Sequence, residues 1–176
     1  MKVLFINTFL SKGAIYREPL GIMSLISAVN HKHKVFILEP IREDIHKKIS
    51  QIKPDVIAYS LRTGFHQYYI DLNKKLKKAY NFISVFGGPH VTFFPQMINQ
   101  EGVDCICKGE SEEAFLEFLD ALESKKDYTK IKNFWVKKSG KIYKNSLRPL
   151  VQDLDTLKFP NRSLFDKYKI TLVVIE

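Results

Sequence analysis

The residues best suited to hold a ligand lie in short segments rich in glycine, hydroxyl groups and single polar side chains. They are Asn7-Thr8, Ser60-Leu61-Arg62-Thr63-Gly64, Gly87-Gly88-Pro89-His90 and Lys108-Gly109-Glu110-Ser111-Glu112. Glycine lets a ligand approach the backbone without a Cβ in the way, and Ser and Thr hydroxyls donate hydrogen bonds. No segment pairs a nucleophile with a base. The sequence therefore predicts a binding site without catalytic residues.

Each segment also has a purely structural interpretation, and the residues alone leave the alternatives open. Gly87 and Gly88 follow an apolar run, where a tight strand-to-helix turn needs glycine without any ligand. Ser60 and Thr63 could instead cap the next helix. His90 lacks a Ser or Cys and a carboxylate nearby, which favours a simple loop hydrogen bond.

Several common sites are excluded by missing motifs. The sequence has neither G-x-x-x-x-G-K-[ST] nor G-x-G-x-x-G, which argues against a phosphate-loop NTPase and weakens a dinucleotide site. Cys105 and Cys107 supply two metal ligands at most, and no metal site is expected. One residue apart on a strand, they point the same way, which predicts buried thiols without a disulfide. Glu110 and Glu112 also suit a helix N-terminus electrostatically.

Five short apolar runs alternate with amphipathic segments, as is typical of βαβ units. The runs are Val3–Ile6, Val35–Leu38, Val56–Tyr59, Ile83–Phe86 and Val103–Cys107. The helical segments are Pro19–Asn30, Glu43–Ile52, Gln67–Tyr80, Thr92–Gln100 and Ser111–Leu122. The pattern predicts an α/β fold with a doubly wound, five-stranded parallel sheet, Rossmann-like and of flavodoxin-like strand order. In such a sheet a ligand lies outside the carboxyl ends of the strands, where the loops above meet.

The pattern changes after Lys126. Residues 134–143 predict a small hairpin around Ser139-Gly140, and residues 149–160 a connecting arm with proline punctuation. Ile170–Ile175 reads as a strand without a partner, which suggests a fragment of a longer protein. The expected organisation is a sheet domain at 1–126, a hairpin at 127–148, and a linker with a first further strand at 149–176.

Composition favours a globular, cytoplasmic protein. The chain has 176 residues, 45% of them hydrophobic and 27% charged. No apolar run reaches the roughly 18–20 residues that span a bilayer, and the N-terminus lacks a signal peptide. The net charge of +9 raises the question of an anionic partner. Because the lysine pairs are spread along the chain without interleaved aromatic residues, the sequence favours a solvated surface over a nucleic-acid interface.

Taken together, the loop segments resemble the N-terminal cobalamin-binding domain of radical S-adenosylmethionine enzymes. The resemblance covers nearly the whole chain, in five short motifs in the matching order. They are Pro19-Leu20-Gly21-Ile22, Ser60-Leu61-Arg62-Thr63-Gly64, Gly87-Gly88-Pro89-His90-Val91-Thr92, Lys108-Gly109-Glu110-Ser111-Glu112, and Leu154-Asp155-Thr156-Leu157-Lys158-Phe159-Pro160-Asn161-Arg162. The last resembles the linker that precedes the catalytic barrel of that family.

The resemblance implies a corrinoid over the carboxyl edge of the sheet, with its nucleotide tail near the third and fourth strand loops. The implied binding residues are Thr8, Leu20, Gly21, Ser60, Arg62, Thr63, Gly64, Gly87, Gly88, Pro89, His90 and Glu110. The D-x-H-x-x-G motif is missing, which implies base-off cobalamin without a protein histidine on cobalt. Arg62 stands where a smaller apolar residue is usual, and a cation there would disfavour a lower axial ligand, unless it points to solvent.

The C-x-x-x-C-x-x-C motif of the family's catalytic domain is also absent. The resemblance therefore implies that S-adenosylmethionine and a 4Fe-4S cluster bind in a C-terminal radical domain outside this chain, which would act with it in methyl transfer or another radical reaction. Two alternatives remain at this point: a degenerate scaffold or substrate-docking domain of the same fold without cobalamin, and an anion or nucleic-acid binder.

Overall fold

The computed structural model describes residues 1–7 and 19–168. The predicted strand at Ile170–Ile175 and the predicted site residue Thr8 lie outside the described residues. In the described part no helix is long and apolar enough to cross a membrane.

One sheet of seven strands organises the molecule. The strands are β1 (Lys2–Ile6), β2 (Lys34–Leu38), β3 (Val56–Ser60), β4 (Ile83–Gly87), β5 (Cys105–Cys107), β6 (Phe134–Lys138) and β7 (Lys141–Lys144). Their order is β2-β1-β3-β4-β5-β6-β7, and the first five run parallel. The predicted α/β fold and its flavodoxin-like order are confirmed.

The strand count of five was too low because the hairpin joins the same sheet. β6 pairs antiparallel with β5, with Cys105 opposite Val136 and Cys107 opposite Phe134, and β7 pairs with β6. Without β6, the apolar strand β5 would leave its backbone groups unpaired at an edge, which favours strand pairing from outside. Both cysteines are free and buried, as predicted.

Helices cover both faces of the sheet, as in a doubly wound fold. They are α1 (Leu20–Val29), α2 (Ile45–Ile52), α3 (His66–Ala79), α4 (Pro89–Phe93) and α5 (Glu112–Glu123). Successive side chains of a strand point to opposite faces. Accordingly, Val3 and Phe5 pack in the cluster with α1 and α5, whereas Leu4 and Ile6 pack with α2 and α3.

The predicted helix Thr92–Gln100 is wrong in its bounds and continuity. α4 ends at Phe93, and a separate 3-10 helix runs from Pro95 to Asn99. Proline has no N–H and disfavours the α conformation in the residue before it. Phe94 accordingly has φ −125° and ψ 59°, and the helix breaks there.

The arm after the hairpin crosses the layer formed by α1 and α5, and its backbone is anchored. Ser27 Oγ donates to the carbonyl of Phe159 at 2.7 Å, and Asn161 N donates to the carbonyl of Met23 at 3.1 Å. Phe165, at 1% exposure, enters the cluster around α1 and α5. At the other end, Arg148 N donates to Asn133 Oδ1 at 2.6 Å.

Asn133 connects three parts of the molecule, and its substitution tests how the arm is held. Its side chain also donates to the carbonyl of Glu110, it is 3% exposed, and its φ is +72°. We expect Asn133→Gly to lower the free energy of unfolding by about 1–3 kcal/mol through the removal of buried hydrogen bonds. Asn133→Ala should lower it further than Asn133→Gly does, because alanine keeps a Cβ in the left-handed region, where glycine has none.

Urea denaturation measures both changes, with the exposed Asn81→Ala as the control. Equal unfolding midpoints for native protein and both Asn133 variants would show that this side chain does not hold the arm.

Candidate functional site

The turns after β3 and β4 lie side by side at the carboxyl edge of the sheet. Ser60 is the register partner of Gly87. Beyond the strands, Leu61 N donates to the carbonyl of Gly87 at 2.8 Å, and His90 N donates to the carbonyl of Leu61 at 3.1 Å. The two segments that the sequence marks as ligand-binding are thus fixed against each other by backbone hydrogen bonds.

The two glycines of the second turn have different reasons to be glycine. Gly88 has φ +89°, and a Cβ there would lie 2.8 Å from both N and O of Leu61. The tight-turn interpretation therefore fully explains Gly88. A Cβ on Gly87 would meet only the carbonyl oxygen of Cys107, at an ordinary 3.7 Å. The turn does not require glycine at position 87, which leaves open space there for a ligand.

His90 connects the turns through its side chain. The ring is 7% exposed and its Nδ1 lies 3.2 Å from the hydroxyl of Thr63. That contact is the loop hydrogen bond considered above for His90. Thr63 does not cap the next helix, because α3 starts at His66 without a side-chain cap bond.

Three rings stack at this point of the edge. The His90 ring lies 4.0 Å from that of His66 and 5.0 Å from that of Phe94, with interplanar angles of 16° and 27°. Burial and the neighbouring His66 lower the pKa of His90, which keeps its imidazole neutral near pH 7. Nδ1 of His66 is buried and has no hydrogen-bond partner among the described residues.

Sequence reasoning missed His66 and Phe94 as parts of this site. The spacing of Phe94, four residues after His90, is a signal that one helical turn would bring the two rings together. No sequence pattern indicates His66, because its contact with His90 depends on the position of the start of α3 next to the start of α4.

The turn after β5 joins the same edge through Thr92. The Thr92 hydroxyl donates to the carbonyl of Gly88 and accepts from Gly109 N, both at 3.3 Å. Glu110 is directed elsewhere, since its carboxylate accepts from Val151 N of the arm at 3.1 Å. Ser111 precedes α5 but forms no cap bond, because its hydroxyl donates to the carbonyl of Gly109 at 3.0 Å.

Several predicted site residues form an open rim rather than a packed wall. Leu20, Gly21, Arg62, Gly64 and Pro89 are exposed. A Cβ on Gly21 or Gly64 would have no atom within 4 Å. The structure therefore brings Ser60, Thr63, Gly87, Gly88 and His90 into contact and leaves the rim residues facing outward.

Large apolar side chains are exposed around this rim. The set at the carboxyl ends of the strands and the start of α1 consists of Leu20, Ile41, Phe65, Tyr68, Phe93 and Phe94, between 42% and 77% exposed. A second set consists of Leu147, just before the arm, and Leu150, Leu154, Leu157 and Phe159 on the arm. Exposed apolar side chains at a sheet edge can contact a ligand or another protein part. A ligand with a broad apolar face suits the first set.

A groove of about 670 Å³ lies at the opposite, amino edge of the sheet, bordered by residues such as Lys53, Asp55, Tyr80 and Phe82. None of the predicted site residues borders it. Ligands of open parallel sheets bind outside the carboxyl ends of the strands, which makes the edge with the converging turns the candidate site.

Comparison with known proteins relates the chain to a known domain family. Residues 12–119 match the family model of the B12 binding domain. The chain is 33% identical over 163 residues to an uncharacterized methyltransferase, PH0819, of Pyrococcus horikoshii, covering 86% of this chain and 35% of that protein. It is 26% identical over 151 residues to the anaerobic magnesium-protoporphyrin IX monomethyl ester cyclase of Synechocystis sp., covering 80% and 30%. The chain thus spans about a third of the length of these relatives.

Solved structures share the fold. The radical S-adenosylmethionine methyltransferase TsrM from Kitasatospora setae, with cobalamin and a 4Fe-4S cluster bound, superposes with a TM-score of 0.73 at 16% identity, over 90% of this chain and 31% of that one. The cobalamin-dependent S-adenosylmethionine radical enzyme OxsB, with aqua-cobalamin bound, gives 0.70 at 17% identity, over 85% and 22%. The B12-binding match covers more than half of the sequence, and this chain is therefore a member of the B12-binding domain family.

Proposed function

We propose that this chain is the cobalamin-binding module of a radical S-adenosylmethionine enzyme of the methyltransferase type. The observation that carries the proposal is the convergence of the Ser60–Gly64 and Gly87–His90 turns on one open, apolar-rimmed edge. The family membership and the solved relatives support cobalamin as the ligand.

The residues of the edge fit a corrinoid. The exposed Phe65 and Phe93 and the open glycines 21 and 64 leave space and apolar contact for a flat ring system. In the proposal the nucleotide tail enters beside Gly87, where no packing atom requires glycine. Ser60 and Thr63 offer hydroxyls to the tail, and Leu20 borders the opposite side of the site.

We further propose that the cobalamin is held base-off without a histidine ligand on cobalt. His90 is buried, and its ring stacks with those of His66 and Phe94. Its Nδ1 contacts the Thr63 hydroxyl, so in the proposal the ring lines the site and does not bind cobalt. Arg62 is exposed at the rim and forms no ion pair with a described residue. A cation there would disfavour a lower axial ligand.

The catalytic partner in this proposal is a radical domain in the same polypeptide, following the linker at 149–176. It would hold S-adenosylmethionine and a 4Fe-4S cluster, and bound cobalamin would supply a methyl carrier. Residues 1–126 and 127–148 would form the cofactor domain and its hairpin. The limited share of the relatives' length and the exposed apolar side chains of the arm support a further covering domain.

Gly87→Ala tests the placement of the ligand. We expect hydroxocobalamin, followed by its visible spectrum, to bind the native chain saturably and to bind Gly87→Ala at least tenfold more weakly. The reason is that the methyl group would occupy the space beside the turn into which the nucleotide tail is proposed to enter. The thermal midpoint should stay nearly unchanged, because position 87 has room for a Cβ.

Asn81→Ala is the control, since it alters an exposed side chain at the amino edge of the sheet, away from both turns. It should bind the ligand like the native chain. Native-like binding by Gly87→Ala would refute the placement, and a native chain that does not bind at high micromolar ligand would refute cobalamin binding itself.

The neutral imidazole of His90 predicts a pH dependence. Because the folded pKa of His90 is lowered from 6.5, the unfolded chain binds more protons than the folded chain just below pH 6.5. The free energy of unfolding should therefore fall as the pH drops from about 7.5 to about 5.5, and less in His90→Gln. Urea denaturation of both proteins at both pH values measures the difference. Equal decreases in both proteins would contradict a buried neutral His90.

A further inference from the structure

The net charge of the chain is concentrated in one segment. Residues 125–148 contain nine basic residues and one acidic residue, Asp127, which gives +8 of the total +9. The basic residues are Lys125, Lys126, Lys130, Lys132, Lys137, Lys138, Lys141, Lys144 and Arg148. The remainder of the chain is therefore almost neutral.

The fold places this segment at one end of the sheet. It consists of the connection that follows α5, the hairpin of β6 and β7, and the start of the arm, and β7 is the outermost strand. We call residues 125–148 the basic end. All of its lysines except the half-buried Lys137 are exposed. The lysines that are separate pairs in the sequence thus share one region of the surface.

The lysines of the basic end are not neutralised within the described part of the chain. Among its cations only Arg148 forms ion pairs there, with Glu113 and Glu117. Lys137 is held by the carbonyl of Gln100 at 2.8 Å, and burial lowers its pKa. The exposed charges therefore repel one another, and a polyanion would relieve that repulsion.

Aromatic rings position the ammonium groups instead of carboxylates. Lys138 Nζ lies 4.5 Å from the ring centre of Tyr128, and Lys141 Nζ lies 5.0 Å from that of Tyr143. Lys108 and Lys144 lie 4.7 and 5.0 Å from the Trp135 ring. Such contacts orient a lysine without removing its charge. The interleaving of lysines with aromatic residues, which was not apparent from the sequence, is present here.

Protection of the free edge accounts for only part of this charge. Lysines on an edge strand hinder pairing with other chains, and Lys141 and Lys144 on β7 suit that role. Lys125, Lys126 and Lys130 precede the hairpin and belong to no strand, so edge protection does not explain them.

We propose that the basic end binds the phosphate backbone of a nucleic acid, in addition to the proposed cobalamin site. Lysine is a compact point charge without the planar fork that reads base edges, so contacts of this kind position a strand without specifying its sequence. A lipid surface fits less well, because the hairpin tip Ser139-Gly140 has no apolar side chain to enter a bilayer.

Fluorescence anisotropy tests the proposal with two probes, a labelled oligouridylate and a labelled DNA duplex of the same length. The native chain should bind at least one of them at low salt, with an affinity that falls linearly on a log–log plot against salt. The triple variant Lys132→Gln, Lys138→Gln, Lys141→Gln should bind at least tenfold more weakly. Its salt slope should drop by about 0.7–0.9 for each phosphate that the variant no longer neutralises.

The matched control is Lys47→Gln, Lys75→Gln, Lys78→Gln, which removes the same charge from exposed positions on α2 and α3. It should retain most of the affinity and the salt slope. Binding of RNA alone, DNA alone or both supports the proposal and identifies the source of the phosphates.

Two results would overturn it: no binding of either probe at low salt, whether or not the chain co-sediments with phosphatidylserine vesicles, or equal weakening in both triple variants. Neither bears on hydroxocobalamin binding, which both triple variants should retain, so this proposal and the cobalamin site fail separately.

Discussion

The pairing of β3 with β4 up to Ser60 and Gly87 is the constraint on which the carboxyl edge depends. Once both strands end in register, the chain continues the contact with backbone bonds between Leu61 and the second turn. That approach is so close that residue 88 must lack a Cβ. It also brings His90 under Thr63, and the ring stack follows from that position. The rigid part of the site is thus built from backbone geometry, with few side chains.

Much of this arrangement could be predicted because it depends on local patterns. Apolar runs that alternate with helical segments indicate a parallel sheet, and loops after such strands meet at one edge. Features set by tertiary contacts could not be predicted in the same way. The hairpin extends the sheet because β5 needs a partner, and Thr63 contacts His90 instead of capping α3. The break at Phe94 was predictable, since Pro95 follows it.

Charge and apolar surface are separated in this fold. The carboxyl edge and the arm expose large apolar side chains, whereas residues 125–148 carry nearly the entire net charge. A total of +9 counted over the whole chain hides that separation. It becomes visible only when the charge is counted by segment and the segment is placed at the end of the sheet. The proposed ligand of the carboxyl edge and the proposed anionic partner would therefore contact different parts of the fold.

Amide hydrogen exchange with and without hydroxocobalamin locates the ligand on the fold and so tests whether it binds at the carboxyl edge. We expect slower exchange at residues 60–66 and 87–94, where the two turns and the ring stack lie. The groove at the amino edge, bordered by Lys53, Asp55, Tyr80 and Phe82, should exchange at an unchanged rate. Protection at that groove without protection at the turns would contradict the assignment of the functional site.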